Sequence, residues 1–400
     1  MKRLIIVTTF FLMPTMLVLA QTERFFTAGK ELSSSLINNV YQDGDGVVWV
    51  ATDDGLNRCD GAKFTIFRNE EGVSSSLKNN HTIFIYEDSC RNLFVGTMGG
   101  LQIYDRATGL FSGVPVKTDD EVLKQATIGA SCIIEIKKGL LLVGSSGYGL
   151  FKLENEASGF AMRRVDVPGM YIESMLYSGG EDVWVGTSDA GFLRLDIELN
   201  VKNQISLTSG EAVFCICQTA NGELYAGTSK GNLLMYDKQN NKFVNMASVN
   251  QPGCGIRSLC VIGKDLAVGT DGCGMKSFDT EKHELTKSTI SLTSIDDSKA
   301  KIRSMMTDVQ GNLWVGCYQK GMALVSARKS QFKYIGGKSG TNNIIGSSCV
   351  TSLLQLHDGK VLAGTDGDGI YELELNEGTE PVANHMAAVG VVPNTITCMF

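Results

Sequence analysis

Proline, histidine and basic charge are scarce in this sequence. The 400 residues include 6 prolines and 4 histidines, against 45 glycines. Much glycine with little proline is typical of many tight turns between strands, and it excludes a collagen-like or proline-rich chain. The 43 acidic residues outnumber the 36 lysines and arginines, so the formal net charge is −7. We therefore expect no binding of nucleic acid, which needs a basic face.

Ligand spacings typical of metal sites are also missing. The 11 cysteines include no CxxC pair, and no histidine stands near two cysteines at zinc-ligand spacing. Residues 43–46 and 366–369 both read DGDG but lack the further ligands and closing Glu of a calcium loop. Residues 144–149, GSSGYG, precede an apparent strand rather than a helix, which argues against a phosphate cradle. We predict no metal and no cofactor.

Most cysteines stand inside apolar runs, where a cysteine behaves as a small hydrophobic residue. This pattern favours buried thiols over a scaffold of disulfides, although the sequence leaves the state of the eleven cysteines open.

The N-terminus carries one long apolar run. Lys2 and Arg3 precede residues 4–19, and residues 18–20, VLA, place short side chains where a signal peptidase cuts. The run is 16 residues long, shorter than the ~20 that span a bilayer. We predict a signal peptide at residues 1–20, cleaved near Ala20, and export of the chain. An uncleaved membrane anchor is the alternative.

One phrase occurs eight times along the chain. Each copy has an apolar run, a small residue, and a glycine four or five residues later. The small residues recur every 41–48 residues and are Ala51, Gly96, Gly144, Gly186, Gly227, Gly269, Gly316 and Gly364. A period of this length indicates a propeller or an array.

Each period has the pattern of four strands. A short apolar segment and a polar turn precede the phrase, which predicts a hairpin, and two further β-rich segments follow it. Four antiparallel strands make one blade of a β-propeller. Trp49, Trp184 and Trp314 stand two positions before the small residue, and we interpret them as wedges between blades. We expect positive φ at the second glycine of each phrase.

Residues 23–26 resemble a fourth strand that lacks its first three. An unpaired strand edge is unfavourable, so this strand should complete the last blade of a closed ring. It would pair beside residues 322–324 in a seven-bladed ring and beside residues 370–373 in an eight-bladed ring. Residues 395–400 resemble the first strand of a ninth repeat, which indicates a piece of a longer protein.

We therefore predict an all-β fold of four-stranded blades, with seven blades and the start of a second propeller. The predicted domains are the signal peptide, a first propeller at residues 21–329, and a truncated second propeller at residues 330–400. A single eight-bladed ring is the alternative.

Turns between the second and third strands share a face with the links between blades, so they surround one mouth of the channel. Their variable residues on a constant scaffold are candidates for ligand binding. The candidates are Asp53, Asp54, Met98, Tyr148, Asp189, Lys230, Asp271, Tyr318 and Gln319, with Asp366 and Asp368 in the eighth repeat. Aromatic rings there can stack on sugars, and carboxylates can accept hydrogen bonds from hydroxyl groups.

No catalytic Ser/His/Asp set can be assembled from the sequence. The histidines lie in apparent loops, at positions 81, 283, 357 and 385. His81 stands just before a first strand, from which it could reach the channel mouth.

The phrase resembles the two-component regulator propeller repeat, D-x-x-G-x-L-W-x-G-T-x-x-G-L. Cys317 replaces the Thr in one copy, and Asn232 replaces the final apolar residue in another. The resemblance covers about residues 21–400, and its clearest copies are residues 42–56, 88–101, 220–232 and 308–322.

This resemblance implies the periplasmic sensor part of a hybrid two-component regulator of Gram-negative bacteria. Such relatives have two propellers, an immunoglobulin-like domain, one inner-membrane helix, a histidine kinase, a receiver and a DNA-binding domain. Many sense oligosaccharides and control genes for glycan utilisation. The resemblance thus implies a non-catalytic sensor, an oligosaccharide or other small ligand, a homodimer through the full-length sensor, and contact with the membrane only through a missing C-terminal part.

Two other functions stay open at this point. One is a secreted propeller enzyme of the streptogramin-lyase type, which would need a histidine and acids at the channel mouth. The other is an exported scaffold that binds another protein.

Overall fold

A computed structural model describes residues 20–61, 63–177, 179–207, 210–288, 290, 292, 294–330, 345–346, 349–375, 382–386 and 395–396. These residues form eight four-stranded sheets. The helical residues among them are α1 (Glu121–Gln125) and one 3-10 turn at Asp297–Lys299. The predicted all-β fold of four-stranded blades is therefore confirmed. Residues 1–19 of the predicted signal peptide at residues 1–20 lie outside the described part of the chain.

The first strand in the described residues is β1 (Ala20–Phe26), and the next sixteen strands form sheets 1 to 4 in chain order. Sheet 1 contains β2 (Ile37–Gln42), β3 (Val48–Thr52), β4 (Gly55–Cys59) and β5 (Phe64–Phe67). Sheet 2 contains β6 (Thr82–Glu87), β7 (Leu93–Thr97), β8 (Gly100–Asp105) and β9 (Leu110–Gly113). Sheet 3 contains β10 (Ala130–Lys137), β11 (Leu140–Ser145), β12 (Leu150–Glu156) and β13 (Gly159–Val165). Sheet 4 contains β14 (Ile172–Tyr177), β15 (Val183–Thr187), β16 (Phe192–Leu195) and β17 (Val201–Ile205).

Sheets 5 to 8 follow the same plan. Sheet 5 contains β18 (Val213–Gln218), β19 (Leu224–Thr228), β20 (Asn232–Asp237) and β21 (Lys242–Ser248). Sheet 6 contains β22 (Ile256–Ile262), β23 (Asp265–Thr270), β24 (Met275–Asp279) and β25 (Glu284–Lys287). Sheet 7 contains β26 (Lys301–Thr307), β27 (Leu313–Tyr318), β28 (Gly321–Ser330) and β1. Sheet 8 contains β29 (Cys349–Gln355), β30 (Val361–Asp366), β31 (Ile370–Glu374) and β32 (Val382–His385).

Sheets 1 to 7 form one compact unit, Glu23–Ala327. The first strands of neighbouring sheets contact one another all the way round, in the order β2, β6, β10, β14, β18, β22, β26 and again β2. The first strands therefore surround the central channel of a closed ring.

Strand β1 closes this ring. It lies beside β28 as the outer strand of sheet 7, in the order β1-β28-β27-β26. This is the pairing predicted for seven blades, since it places residues 23–26 next to residues 322–324. Phe26 is buried, and its ring stacks on Trp314 with the centroids 5.8 Å apart. The two ends of the ring are thus joined within one sheet.

Sheet 8 lies outside the compact unit of sheets 1 to 7 and belongs to a second one. Thr395 forms an isolated bridge with Asp366, and a Cβ on Gly364 would lie 2.7 Å from Cγ2 of Ile396. Residues 395–396 thus pair with sheet 8 where a following first strand would begin. The rest of the predicted ninth-repeat strand, residues 397–400, lies outside the described residues.

The tryptophans lie between sheets. Trp49 of sheet 1 meets Tyr104 of sheet 2 edge-on, with the ring centroids 5.1 Å apart. Trp184 of sheet 4 meets Tyr236 of sheet 5 in the same way at 4.5 Å. Each indole therefore fills space against the next sheet, and its burial stabilises the packing of neighbouring sheets in the propeller.

The small residue of the phrase accommodates a side chain from the next sheet. A Cβ on Gly186 would lie 2.6 Å from Cγ1 of Val213, the first residue of the next first strand. The same relation joins Gly144 to Ile172, Gly227 to Ile256, Gly269 to Ile302, and Gly316 to Ile37 across the closure. At Gly96 the space is filled by Phe84 of the same sheet, because the next first strand begins with the small Ala130.

The second glycine of every phrase has positive φ, as predicted, with values from 70° to 123°. At Gly231, where φ is 79°, a Cβ would also lie 2.6 Å from the carbonyl oxygen of Cys254. The turn to the third strand therefore requires glycine both for its backbone angle and for space.

Replacing Gly186 by alanine is expected to lower the free energy of unfolding by about 1–3 kcal/mol, because the added methyl group overpacks the contact with Val213. Chemical denaturation would measure this loss. Gly180→Ala in the same sheet is the control, since no atom lies within 4 Å of its Cβ position. Val213→Ala should lower the free energy of unfolding less in the Gly186→Ala background than in the parent chain. Equal stability of the two glycine variants would contradict the prediction.

Candidate functional site at the channel mouth

The first strand of every sheet has a β-bulge at the same place. In sheet 1, Ile37 pairs with Thr52 and Asn39 with Ala51, which leaves Asn38 without a partner in the ladder. A bulge re-aims the side chain of its extra residue. In the ring we call these extra residues the bulge residues; they are Asn38, Ile83, Ser131, Glu173, Phe214, Arg257 and Arg303.

Several bulge residues contact the turn between the second and third strands of their own sheet. Asn38 donates from Nδ2 to Oδ1 of Asp53 at 2.7 Å. Glu173 accepts a hydrogen bond from Ser188. These contacts join the bulge of the first strand and the predicted mouth turn into one surface. The sequence predicts the turns but not the bulge.

Asp53 also brings a histidine to the mouth. His81 Nε2 lies 3.4 Å from Oδ1 of Asp53, although the two residues belong to different repeats. The sequence alone could not assemble a histidine with an acid, and the structure does so here. An imidazole beside a carboxylate is a pair that can act as a general base.

Other predicted residues have partners outside their own turns. Asp54 forms an ion pair with Arg68 at 2.9 Å, and both side chains are exposed. Asp189 accepts a hydrogen bond at Oδ2 from the backbone N–H of Met170 at 2.8 Å. Asp189 thus fixes the link that enters sheet 4.

The remaining candidates differ in exposure. Met98, Lys230 and Gln319 are exposed on their turns. Tyr148 is half-buried and packs against the core between sheets 2 and 3. In sheet 8, Asp368 accepts a hydrogen bond from Tyr371, and Asp366 accepts one from Thr395. Three candidates contact side chains of first strands: Asp53 contacts Asn38, Asp271 contacts Arg257, and Tyr318 contacts Arg303.

Three cations stand together at the mouth of sheets 6 and 7, and we call Arg257, Lys301 and Arg303 the basic arc. Arg257 Nε donates to Oδ2 of Asp271 at 3.3 Å, and Lys301 Nζ lies 3.9 Å from Oδ1 of the same carboxylate. Arg303 lies over the ring of Tyr318, 3.6 Å from its centroid. These three cations were not among the candidates that the repeat pattern predicts.

A disulfide supports this region. Cys254 and Cys273 are bonded, which joins the link before β22 to the turn that carries Asp271. The sequence left the state of these cysteines open, and the structure shows this pair oxidised. In the described part of the chain, the cysteines that remain free thiols include Cys59, Cys90, Cys132, Cys215, Cys217, Cys260 and Cys349.

Two thiols of the first strands, Cys132 and Cys217, are buried and weakly acidic. Burial raises the pKa of the Cys132 thiol to about 12, and burial does the same for Cys217. The thiolate is the reactive form of cysteine, so these side chains stay protonated and inert. The described residues contain no cluster of three His, Cys, Asp or Glu side chains that could hold a metal.

The ring of four-stranded sheets defines a β-propeller with a polar mouth. Residues 31–54 match the model of the two component regulator propeller family. The chain thus carries the repeat that its sequence resembled, and this recognition is confirmed. No curated protein matches the chain.

Two similar solved structures are extracellular domains of proteins described as hybrid two component systems from B. thetaiotaomicron. One is 20% identical with a TM-score of 0.65 and covers 94% of this chain and 55% of that one. The other is 18% identical with a TM-score of 0.58 and covers 96% and 49%. The chain therefore spans about half the length of these domains. At such identity the likeness establishes the fold.

A third similar structure is an enzyme. It is a catalytically inactive histidine-to-alanine variant of virginiamycin B lyase from Staphylococcus aureus with quinupristin. It is 9% identical with a TM-score of 0.58 and covers 77% of this chain and all of that one. None of the described residues forms a helix long and apolar enough to cross a membrane.

Proposed function

We propose that this chain is the ligand-sensing propeller region of a hybrid two-component regulator, and that it recognises an oligosaccharide and controls genes for glycan utilisation. The regulator-propeller match at residues 31–54 carries the proposal, and the fold shared with extracellular sensor domains supports it. The chain itself is non-catalytic, and the kinase belongs to the part of the protein outside it.

The proposal includes the location and assembly of the chain. The leader at residues 1–20 directs export to the periplasm, and sheet 8 is the first blade of a second propeller. Anchoring in the inner membrane and homodimerisation are functions of the full-length sensor. A ligand can signal only if it binds one of two states of this assembly more tightly than the other.

The chemistry of the mouth suits a sugar. Asn38, Asp53 and Glu173 offer amide and carboxylate groups to hydroxyls, and such groups give specificity in a shaped site. Phe214 and Tyr318 add aromatic surface, on which the apolar faces of sugar rings can pack.

A stability screen tests the proposal. Neutral and anionic oligosaccharides would be added to the purified chain during thermal unfolding, where a ligand at 100 times its dissociation constant adds roughly 2.7 kcal/mol. Phe214→Ala should reduce the gain, whereas Tyr177→Ala at the other end of a first strand should preserve it. If no saccharide stabilises the chain, oligosaccharide sensing is wrong.

The contact between His81 and Asp53 favours a lyase as the second candidate. Incubation of the chain with quinupristin, followed by mass spectrometry, would detect a product. Product formation that disappears in His81→Ala would replace sensing by catalysis. An unchanged substrate would remove this candidate.

A further inference from the structure

We propose that the ligand is an anionic saccharide, whose carboxylate or sulfate group binds the basic arc of Arg257, Lys301 and Arg303. This inference rests on the proposed function, because it names the ligand class of the same site. A carboxylate and a sulfate are equivalent in this respect, because both present oxygen atoms with delocalised negative charge to a guanidinium.

The basic arc has more positive charge than its surroundings neutralise. Among the described residues, Asp271 is the one acid within 4.0 Å of these three side chains. The arc therefore keeps an excess of two positive charges, in a chain whose formal net charge is −7. A local field of this sign attracts an anion to the mouth against the field of the whole protein.

Arg303 is the cation that lacks a counter-ion. In the described part of the chain it forms no ion pair or hydrogen bond, and its Nε is buried without a partner. Its guanidinium lies 3.6 Å from the ring centroid of Tyr318. A buried donor without a partner is unfavourable, so a ligand oxygen that accepts from it gains affinity. A guanidinium stacked on a ring keeps its donors in a fixed plane, which matches a carboxylate or a sulfate.

Arg257 is held in place by three constraints. It lies 3.6 Å from the ring centroid of Phe214, the bulge residue of the preceding sheet. Asp271 binds its Nε. The disulfide between Cys254 and Cys273 holds the backbone on both sides of this pair. A cation fixed before binding loses less entropy when the ligand arrives.

The members of the basic arc form one continuous surface. Asp271 forms a backbone bridge with Lys301, and Lys301 pairs with Tyr318 in the ladder of β26 and β27. Tyr318 in turn lies under Arg303. The basic arc is therefore continuous across sheets 6 and 7. One carboxylate or sulfate, with its two or three oxygens, can contact more than one of its cations.

The part of the mouth formed by sheets 1 to 4 differs in charge from the basic arc. The bulge residues of sheets 1 to 4 are Asn38, Ile83, Ser131 and Glu173, which include no cation. This asymmetry orients the ligand, with its acidic group toward sheets 6 and 7 and its hydroxyl groups toward Glu173 of sheet 4.

Isothermal titration calorimetry with two pairs of probes tests the inference. The carboxylate pair is trigalacturonate and its carboxyl-reduced, neutral form. The sulfate pair is a κ-carrageenan tetrasaccharide and its desulfated form. We expect one anionic probe to bind, its neutral counterpart to bind at least tenfold more weakly, and its dissociation constant to rise with added salt.

Variants locate the binding. Arg303→Gln should raise the dissociation constant of the anionic probe at least tenfold. Arg303→Lys should raise it less, because lysine keeps the charge but lacks the planar guanidinium. Lys320→Gln, an exposed cation on the same turn as Tyr318, makes the same charge change and should stay within about twofold of the parent. Circular dichroism and thermal unfolding would verify that each variant is folded.

The outcomes separate this inference from the proposed function. Equal binding of a neutral form, or binding unaffected by Arg303→Gln, would overturn the anionic ligand and leave saccharide sensing intact. Binding of neutral saccharides from the stability screen without either anionic probe would do the same. Failure of every saccharide, charged or neutral, would overturn both.

Discussion

Replacing Phe26 by alanine is expected to lower the free energy of unfolding by about 3–5 kcal/mol, the usual loss for a buried phenylalanine. Phe26 is 2% exposed. Its ring stacks on Trp314 of sheet 7 and lies 5.4 Å from the ring of Phe64 in sheet 1. The substitution therefore opens a cavity at the one sheet whose strands come from both ends of the ring. Urea denaturation followed by tryptophan fluorescence would measure the loss, and the Trp314 emission should shift to the red.

Phe111→Ala is the matched control for the closure. Phe111 occupies the fourth strand of sheet 2, is also buried, and packs on Tyr104 with the centroids 5.1 Å apart. Its loss should cost a similar free energy without loosening β1. Limited proteolysis should therefore cut the Phe26→Ala chain faster near β1 and β28, and leave those strands protected in Phe111→Ala. A loss below about 1 kcal/mol for Phe26→Ala, or equal cleavage of the two variants, would show that β1 does not stabilise the closure of the propeller.

The blade pattern was predictable because each sheet is packed on both faces. This burial imposes the same local demands in every repeat: an apolar second strand, a small residue where the next sheet approaches, and a glycine with positive φ in the turn. Gly186 and Gly231 illustrate the last two, since each has backbone or side-chain atoms where a Cβ would lie. Such demands are met within a few residues of sequence, so a single chain reveals them.

The bulge residues could not be predicted in the same way. A bulge depends on the register between two strands. The pattern of apolar residues does not fix that register to the nearest residue. The contact between Asp53 and His81 joins two repeats, and the disulfide pairs two of eleven cysteines; neither is encoded by local spacing. One signal was present in the sequence: residues 256–258 and 302–304 both read IRS. Two adjacent repeats thus repeat an arginine at the position that becomes the bulge.

Trp49→Ala is expected to lower the free energy of unfolding by about 3–5 kcal/mol, because the indole is buried between sheets 1 and 2 and a cavity would replace it. Trp49 is 1% exposed and contacts the rings of Tyr104 and Phe67. Circular dichroism during urea denaturation would measure this loss, since the variant removes a fluorescent probe. A loss close to that of an exposed residue would contradict the interpretation of the tryptophans as wedges.

Tryptophan-to-phenylalanine variants separate packing from hydrogen bonding. Trp49 Nε1 donates to Oδ2 of Asp43 at 2.9 Å, and the Asp43 side chain is 1% exposed. In the described part of the chain, Trp184 is equally buried but its Nε1 donates no hydrogen bond. Trp49→Phe should therefore cost about 1–3 kcal/mol more than Trp184→Phe, because it removes a donor from a buried carboxylate. Equal losses would mean that these rings stabilise the propeller by shape alone, whereas the expected difference would show that the wedge of sheet 1 also orders the hairpin that carries Asp43.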